Sequence, residues 1–159
     1  VESEIGSGST FHIYFPTQLI SEENAGSQRI SLEDVPGGTE TILIVEDEEM
    51  LREMLKTILV LKGYQVLTAS DGVEAVEIYA LHRESIAVVV ADIGLPRLAG
   101  SEVFLRLKQT NPGVKVVLAS GFLEPVLKAE MISAGAKEVI QKPYQPGEFL
   151  KIVRKALDT

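Results

Sequence analysis

The sequence predicts an α/β domain of the doubly wound kind, and three observations carry that prediction. Short apolar runs recur along residues 40–159 without polar alternation, the pattern of strands buried on both faces of a parallel sheet. Segments with apolar residues at helical spacing separate these runs, and the connections are short, which gives five strand–helix repeats. The residues that break the apolar pattern, mostly acids, fall just after the runs.

The elements follow in order. Residues 42–45, Ile-Leu-Ile-Val, form the first strand. A helix spans 48–62, with Leu51, Leu55, Ile58, Leu59 and Lys62 at helical spacing, and Gly63 ends it in the C′ position. Residues 66–69 are the second strand, and Asp71 caps a helix running to about Leu81. Residues 86–91 are the third strand, followed by a helix over 101–110 that repeats apolar residues at Val103, Phe104 and Leu107. Residues 114–119 are the fourth strand. The next helix starts near Pro125, a residue tolerated in a first turn, and ends before Gly135. Val139-Ile140 is the centre of a short fifth strand, and Pro146 opens a last helix with Phe149, Ile152, Val153 and Ala156 on one face. Crossovers between such parallel strands are right-handed in nearly all proteins.

Composition narrows the function. The chain has 159 residues, 15 Lys and Arg against 23 Asp and Glu, a net charge of −8, no Cys and no Trp. Without cysteine there is no disulfide scaffold, thiolate metal site or cysteine nucleophile. The acidic balance argues against a nucleic-acid-binding surface, which shows as clustered Lys and Arg. No apolar run reaches the roughly 18 residues of a membrane span, so no direct membrane contact is expected. The chain begins with Val and has no signal peptide, so it reads as a piece of something longer.

The acidity is uneven. Residues 1–39 hold Arg29 against six acids and carry −5 of the charge; residues 40–159 carry −3. Residues 17–39 are polar and end in Pro36-Gly37-Gly38, which reads as a linker unable to bury enough apolar surface to offset its ordering entropy. Ahead of it, Gly6-Ser7-Gly8-Ser9-Thr10 precedes an alternating segment, Phe11, Ile13 and Phe15 against His12 and Tyr14, expected as one half-buried strand ending at Pro16. A single strand is not stable alone, so residues 1–16 are expected to be mobile or to pair with an exposed sheet edge.

In open parallel sheets, ligands bind beyond the carboxyl ends of the strands. There the sequence places Glu46-Asp47 after the first strand, Asp92 after the third, Ser120 after the fourth and Lys142 after the fifth. Three carboxylates brought that close repel unless a cation joins them. Oxygen donors of this kind suit Mg²⁺. A carboxylate can also attack phosphorus to give an acyl phosphate. Lys142 would neutralise phosphoryl oxygens and Ser120 would hydrogen-bond one, which is most of what phosphoryl transfer requires.

These residues carry a resemblance. Residues 40–158 resemble the receiver domain of two-component response regulators. The landmarks are Glu46-Asp47; Asp92 with Leu95-Pro96 and Gly100; Ala119-Ser120-Gly121; and Gly135-Ala136 leading to Lys142-Pro143. The resemblance implies a flavodoxin-like five-stranded sheet of order 2-1-3-4-5, with Asp92 as the phosphoacceptor. It implies that Asp47 binds Mg²⁺ directly, Glu46 mainly through water, and the Gly94 carbonyl as a further ligand. Ser120 and Lys142 would contact the phosphoryl group, and Lys142-Pro143 would be cis. The implied partners are the phosphohistidine domain of a histidine kinase and a histidine phosphotransfer protein, in the cytoplasm. Residues 1–16 resemble the last glycine box and strand of a histidine-kinase ATP-binding domain, without its other nucleotide-binding elements. The order tail, linker (17–39), receiver (40–159) then resembles a hybrid sensor histidine kinase, whose receiver relays the phosphoryl group or regulates the parent kinase.

Two departures from that family stand out. Receivers commonly carry Tyr or Phe three residues before the lysine, and here that residue is Val139. Gly94 and Phe122, flanking the phosphoryl position, offer no polar side chain to orient a hydrolytic water, and Phe122 is bulky enough to shield an acyl phosphate, so a long-lived phosphoryl group is expected. The competing reading is a receiver-like docking or inhibitory module that is not phosphorylated. An aspartate-dependent phosphatase fits poorly, since Gly94 stands where its second acid belongs. His12, His82, Phe104, Phe149 and the Met50/Met54 pair read as structural or surface residues.

Overall fold

The computed structural model describes residues 1–6, 8–14, 34–122 and 124–159. Twelve elements run along them: β1 (Glu2–Glu4), β2 (Gly8–Thr10), β3 (Thr41–Val45), α1 (Glu49–Leu61), β4 (Gln65–Ala69), α2 (Gly72–His82), β5 (Ile86–Asp92), α3 (Gly100–Thr110), β6 (Val116–Ser120), α4 (Pro125–Ser133), β7 (Glu138–Gln141) and α5 (Pro146–Asp158). The five strands β3 to β7 form one parallel sheet in the order β4-β3-β5-β6-β7. Counting those five alone, the order is 2-1-3-4-5, as expected from the resemblance.

The unbroken apolar runs are explained by two cores, one on each face. Leu43 and Val45 of β3, Val89 and Ala91 of β5, Val116 and Leu118 of β6, and Val139 of β7 pack with α2, α3 and α4. The intervening residues Ile42, Ile44, Val88, Val90, Val117, Ala119 and Ile140 pack with α1 and α5. Each strand therefore feeds both cores through its period of two.

Helix boundaries follow local chemistry. Asp71 caps α2, its Oδ1 accepting from the N–H groups of Val73 (2.8 Å) and Glu74 (3.0 Å). Its Oδ2 accepts from Arg97, which ties the start of α2 to the loop after β5. Gly63 ends α1 at φ 91°, a left-handed conformation that glycine adopts without steric cost. Gly100 opens α3 where a Cβ would lie 2.0 Å from the Asp92 carbonyl oxygen, so only glycine allows the helix this close to the strand end. On α5, Phe149, Val153 and Ala156 are buried as expected, joined by Leu150, while Ile152 is only half-buried. Met50 and Met54 lie on the surface of α1.

Two expectations are corrected. Residues 11–14 form no strand, and Phe11 and Ile13 are largely exposed. Instead β1 and β2 form an antiparallel hairpin pairing Glu2 with Thr10 and Glu4 with Gly8. Its turn uses positive φ at Gly6 and Gly8, so the glycines fold the chain back on itself. Apolar alternation at 11–13 was a signal for burial, but among the described residues it meets no surface to bury against. Phe15, Pro16 and residues 17–33 lie outside the described residues. The second correction concerns the end of the linker. Val35 is buried in the core between the sheet and α1/α5. Its carbonyl accepts from Lys62 Nζ (2.7 Å), and the Gly38 N–H donates to the Lys62 carbonyl (3.0 Å). Among the described residues the packed unit thus includes Val35, ahead of residue 40, held by its buried side chain and by the bonds to Lys62.

Candidate functional site: an acidic pocket at the strand ends

Period-two alternation, extended past the strand ends, sorts the polar residues. Glu46, Asp92 and Lys142 share the parity of Ile44, Val90 and Ile140, so they emerge on the α1/α5 side of the sheet edge. There Lys142 Nζ donates to Glu46 Oε2 at 2.6 Å and to Asp92 Oδ2 at 2.9 Å. Asp92 Oδ1 accepts from the Gly94 N–H at 3.3 Å. One carboxylate oxygen from each of Glu46, Asp47 and Asp92 lies within 4.8 Å of the others.

Main-chain bonds hold the loops that carry these groups. The Glu46 N–H donates to the Ala69 carbonyl (3.1 Å), the Ile93 N–H to the Ala119 carbonyl (2.8 Å), and the Lys142 N–H to the Ser120 carbonyl (2.7 Å). The Lys142-Pro143 bond is cis, as the resemblance implied.

Burial shapes the electrostatics. Glu46 is 3% exposed, and desolvation raises its carboxyl pKa against the opposing pull of Lys142. For Lys142 burial acts downward, but the hydrogen bonds it donates to Glu46 and Asp92 outweigh it and the ammonium pKa rises. Beside them the Tyr144 phenol, stacked on Phe149 with ring centroids 5.6 Å apart, is pushed by burial up to about 12. Three carboxylates with one ammonium leave an excess of negative charge that a divalent cation would neutralise. All donors are oxygen, and the spacing fits a hard ion such as Mg²⁺ held by one or two carboxylates.

Of the residues singled out in the sequence, Glu46, Asp47, Asp92 and Lys142 converge, and Gly94 sits against Asp92. Ser120 does not join them through its side chain. It is buried, shares the parity of Val116 and Leu118, and its Oγ donates to the Phe122 carbonyl at 2.6 Å. The Phe122 ring is 76% exposed, so it does not cover the acid cluster. Sequence reasoning missed Arg52, whose guanidinium reaches the carbonyls of Glu46 (2.7 Å) and Asp47 (3.2 Å). The available signal was an arginine one turn into the helix that follows an acid pair. It also missed Tyr144, two residues after the lysine.

A doubly wound sheet with an acid triad and a lysine at its carboxyl edge defines a class of α/β domain with its acidic site beyond the strand ends. The response regulator receiver domain family matches residues 42–154, and the chain belongs to that family. It is 34% identical over 118 residues to the chemotaxis protein CheY of Bacillus subtilis, covering 74% of this chain and 97% of that one. It is 29% identical over 164 residues to the sensor kinase CckA of Brucella abortus; that match covers 99% of this chain but only 17% of the kinase. Among solved structures, a receiver domain protein of Clostridium thermocellum superposes with a TM-score of 0.71 at 27% identity, covering 75% of this chain and 94% of that one. CheY in the CheX–CheY–BeF3–Mg²⁺ complex of Borrelia burgdorferi superposes with a TM-score of 0.69 at 29% identity, covering 72% and 86%. No helix among the described residues is long and apolar enough to cross a membrane.

Proposed function

We propose that this receiver accepts a phosphoryl group from a phosphohistidine onto Asp92, with Mg²⁺, and relays it or regulates a parent histidine kinase. The observation that carries the proposal is the pocket in which Lys142 bridges Glu46 and Asp92 while Glu46, Asp47 and Asp92 crowd together. An Asp92 carboxylate oxygen attacks phosphorus, the P–N bond of the phosphohistidine breaks, and the imidazole leaves with that electron pair. Lys142, already 2.9 Å from Asp92, is placed to neutralise a phosphoryl oxygen. Ser120 reaches the group only by giving up its bond to the Phe122 carbonyl. Glu46, Asp47, Asp92 and the Gly94 carbonyl would hold Mg²⁺, which supplies charge neutralisation of the transferring phosphoryl group. That a similar CheY is known with BeF3 and Mg²⁺ supports this donor set.

The wider assignment rests on the kinase match. The aligned region of the Brucella sensor kinase spans nearly all of this chain, residues ahead of the receiver included. This supports reading residues 1–16 as the end of a kinase ATP-binding domain and residues 17–39 as the linker leading into the receiver, in a hybrid kinase working in the cytoplasm. The partners are then a histidine kinase's phosphohistidine domain and a histidine phosphotransfer protein. An apolar recess of about 260 Å³ beside Lys142, lined by Leu51, Met54, Pro143 and Tyr144, favours a protein donor over a small one.

Intact-mass measurement after mixing the chain with Mg²⁺ and a small phosphodonor tests the proposal. A gain of one phosphoryl group, lost in Asp92→Asn, is expected. No gain from a small donor or from a phosphorylated kinase domain supports the docking-module reading instead.

A further inference from the structure

We infer that Arg52 is a positioning residue for the metal-binding half of this pocket: it clamps the main chain of the Glu46-Asp47 pair, so that both carboxylates are aimed before any ion binds. The inference rests on the Mg²⁺-dependent phosphoacceptor reading above and deepens it.

Arg52 is the fourth residue of α1, and its own N–H donates to the Glu48 carbonyl (2.9 Å) at the start of the helical ladder. The carbonyls of Glu46 and Asp47 precede that ladder. Arg52 Nη1 donates to both, at 2.7 and 3.2 Å. Glu46 is thus fixed on two sides, by Ala69 through its N–H and by Arg52 through its carbonyl. That matters because the pocket gathers three mutually repelling carboxylates within 4.8 Å. Without a brace, the acid loop relaxes outward in the metal-free protein, and the ion must then bear the cost of reordering it. The guanidinium reaches carbonyls and not the carboxylates, so it adds positive charge behind the pocket while leaving the ligand oxygens free. Both bonds leave the one nitrogen Nη1; a lysine ammonium also has the charge and enough donors, but not the rigid planar group that fixes the direction of the two N–H bonds.

Outer partners that orient metal ligands are worth about 10–100-fold in metal affinity. The test uses the full 159-residue chain with Arg52→Ala and Arg52→Lys. Titration calorimetry should show Mg²⁺ binding at least about tenfold weaker in Arg52→Ala, with Arg52→Lys intermediate. In metal-free protein, hydrogen exchange at the amides of residues 47–49 should speed up by a similar factor while β5 and β7 stay protected. At saturating Mg²⁺ the phosphorylation rate should return to that of the parent chain, because Asp92 and Lys142 are untouched. A merely structural role would lower the melting temperature and leave Mg²⁺ affinity unmoved. Arg52→Lys preserves stem and charge, so it remains informative if Arg52→Ala does not fold. Parental Mg²⁺ affinity in Arg52→Ala overturns the inference alone, and parental affinity in Arg52→Lys overturns the part of it that requires a planar guanidinium. If the parent chain binds no Mg²⁺ and takes no phosphoryl group, the functional reading itself falls, and this inference with it.

Discussion

Lys142 lies closer to Glu46, at 2.6 Å, than to Asp92, at 2.9 Å. The lysine therefore compensates a buried acid as well as pairing with Asp92. Glu46 has little access to water, so its charge depends on this partner. Lys142→Met should strand that carboxylate and destabilise the metal-free chain at pH 7 by about 1–3 kcal/mol. Glu46→Gln in the Lys142→Met background should recover much of the loss. Urea melts of the two single variants and the double would show a coupling of about 0.5–3 kcal/mol; additive losses would mean the two side chains act independently.

Mg²⁺ should raise the melting temperature, since it binds the folded pocket and not the unfolded chain. At a hundredfold excess over its dissociation constant the gain is about 2.7 kcal/mol. Asp47→Asn should melt higher than the parent chain without metal, because one of three repelling carboxylates is gone, yet gain less from Mg²⁺. Thermal melts at matched ionic strength with Mg²⁺ or Na⁺ distinguish site binding from screening.

Glu40 gives the fold a pH dependence away from the pocket. The Arg154 guanidinium hydrogen-bonds its carboxylate (2.9 Å) and holds the pKa below its usual 4.5. A lowered folded-state pKa contributes stability above the ordinary value, lost as pH falls through the lowered one. Glu40→Gln should cost at most about 1 kcal/mol at pH 7, since the pair is partly exposed. That cost should vanish in acid well below pH 4.5; denaturant melts at the two extremes of pH check it.

Val35 predicts where the folding unit starts. Val35→Ala removes two buried carbons at about 0.8 kcal/mol each and leaves a cavity, for about 1.5–3 kcal/mol in total. A chain trimmed to begin at Glu40 should be destabilised at least as much as one carrying Val35→Ala. Equal stability of chains beginning at residues 34 and 40 would show that this contact contributes nothing.

Because the Phe122 ring is largely exposed, Phe122→Ala should change the lifetime of phospho-Asp92 by no more than about twofold, the scale of a surface substitution. A large shortening would mean that the ring closes over the phosphoryl group once it has formed.

Much of this was legible in the sequence, and the reasons are local. Strands buried on both faces show as unbroken apolar runs, and Asp71, Gly63 and Pro125 mark helix ends by chemistry that needs no tertiary context. The acids and Lys142 were visible because polar residues recur together at the carboxyl ends of several apolar runs, although each alone also fits a turn or a helix start. What escaped depended on distant partners. Val35 looked like one apolar residue in a polar stretch, since its place in the same core as Leu59 and Phe149 exists only after folding. The Arg52 contacts are to carbonyls, which carry no side-chain signature. The hairpin was missed because the alternation of Phe11, Ile13 and Phe15 with His12 and Tyr14 suggested a strand, while the turn that forms one depends on two glycine φ angles.

The division of every central strand between two aliphatic cores has a consequence for length change. Deleting one residue within β5 would present its valines and alanines to the opposite layers, each of which already accepts such side chains. The sheet could absorb much of that exchange, yet Asp92 would surface on the α2–α4 side, away from Glu46 and Lys142. Stability and chemistry therefore part company at this strand: a frameshifted β5 can yield a folded protein with no acceptor, whereas a two-residue deletion keeps the face and loses only reach.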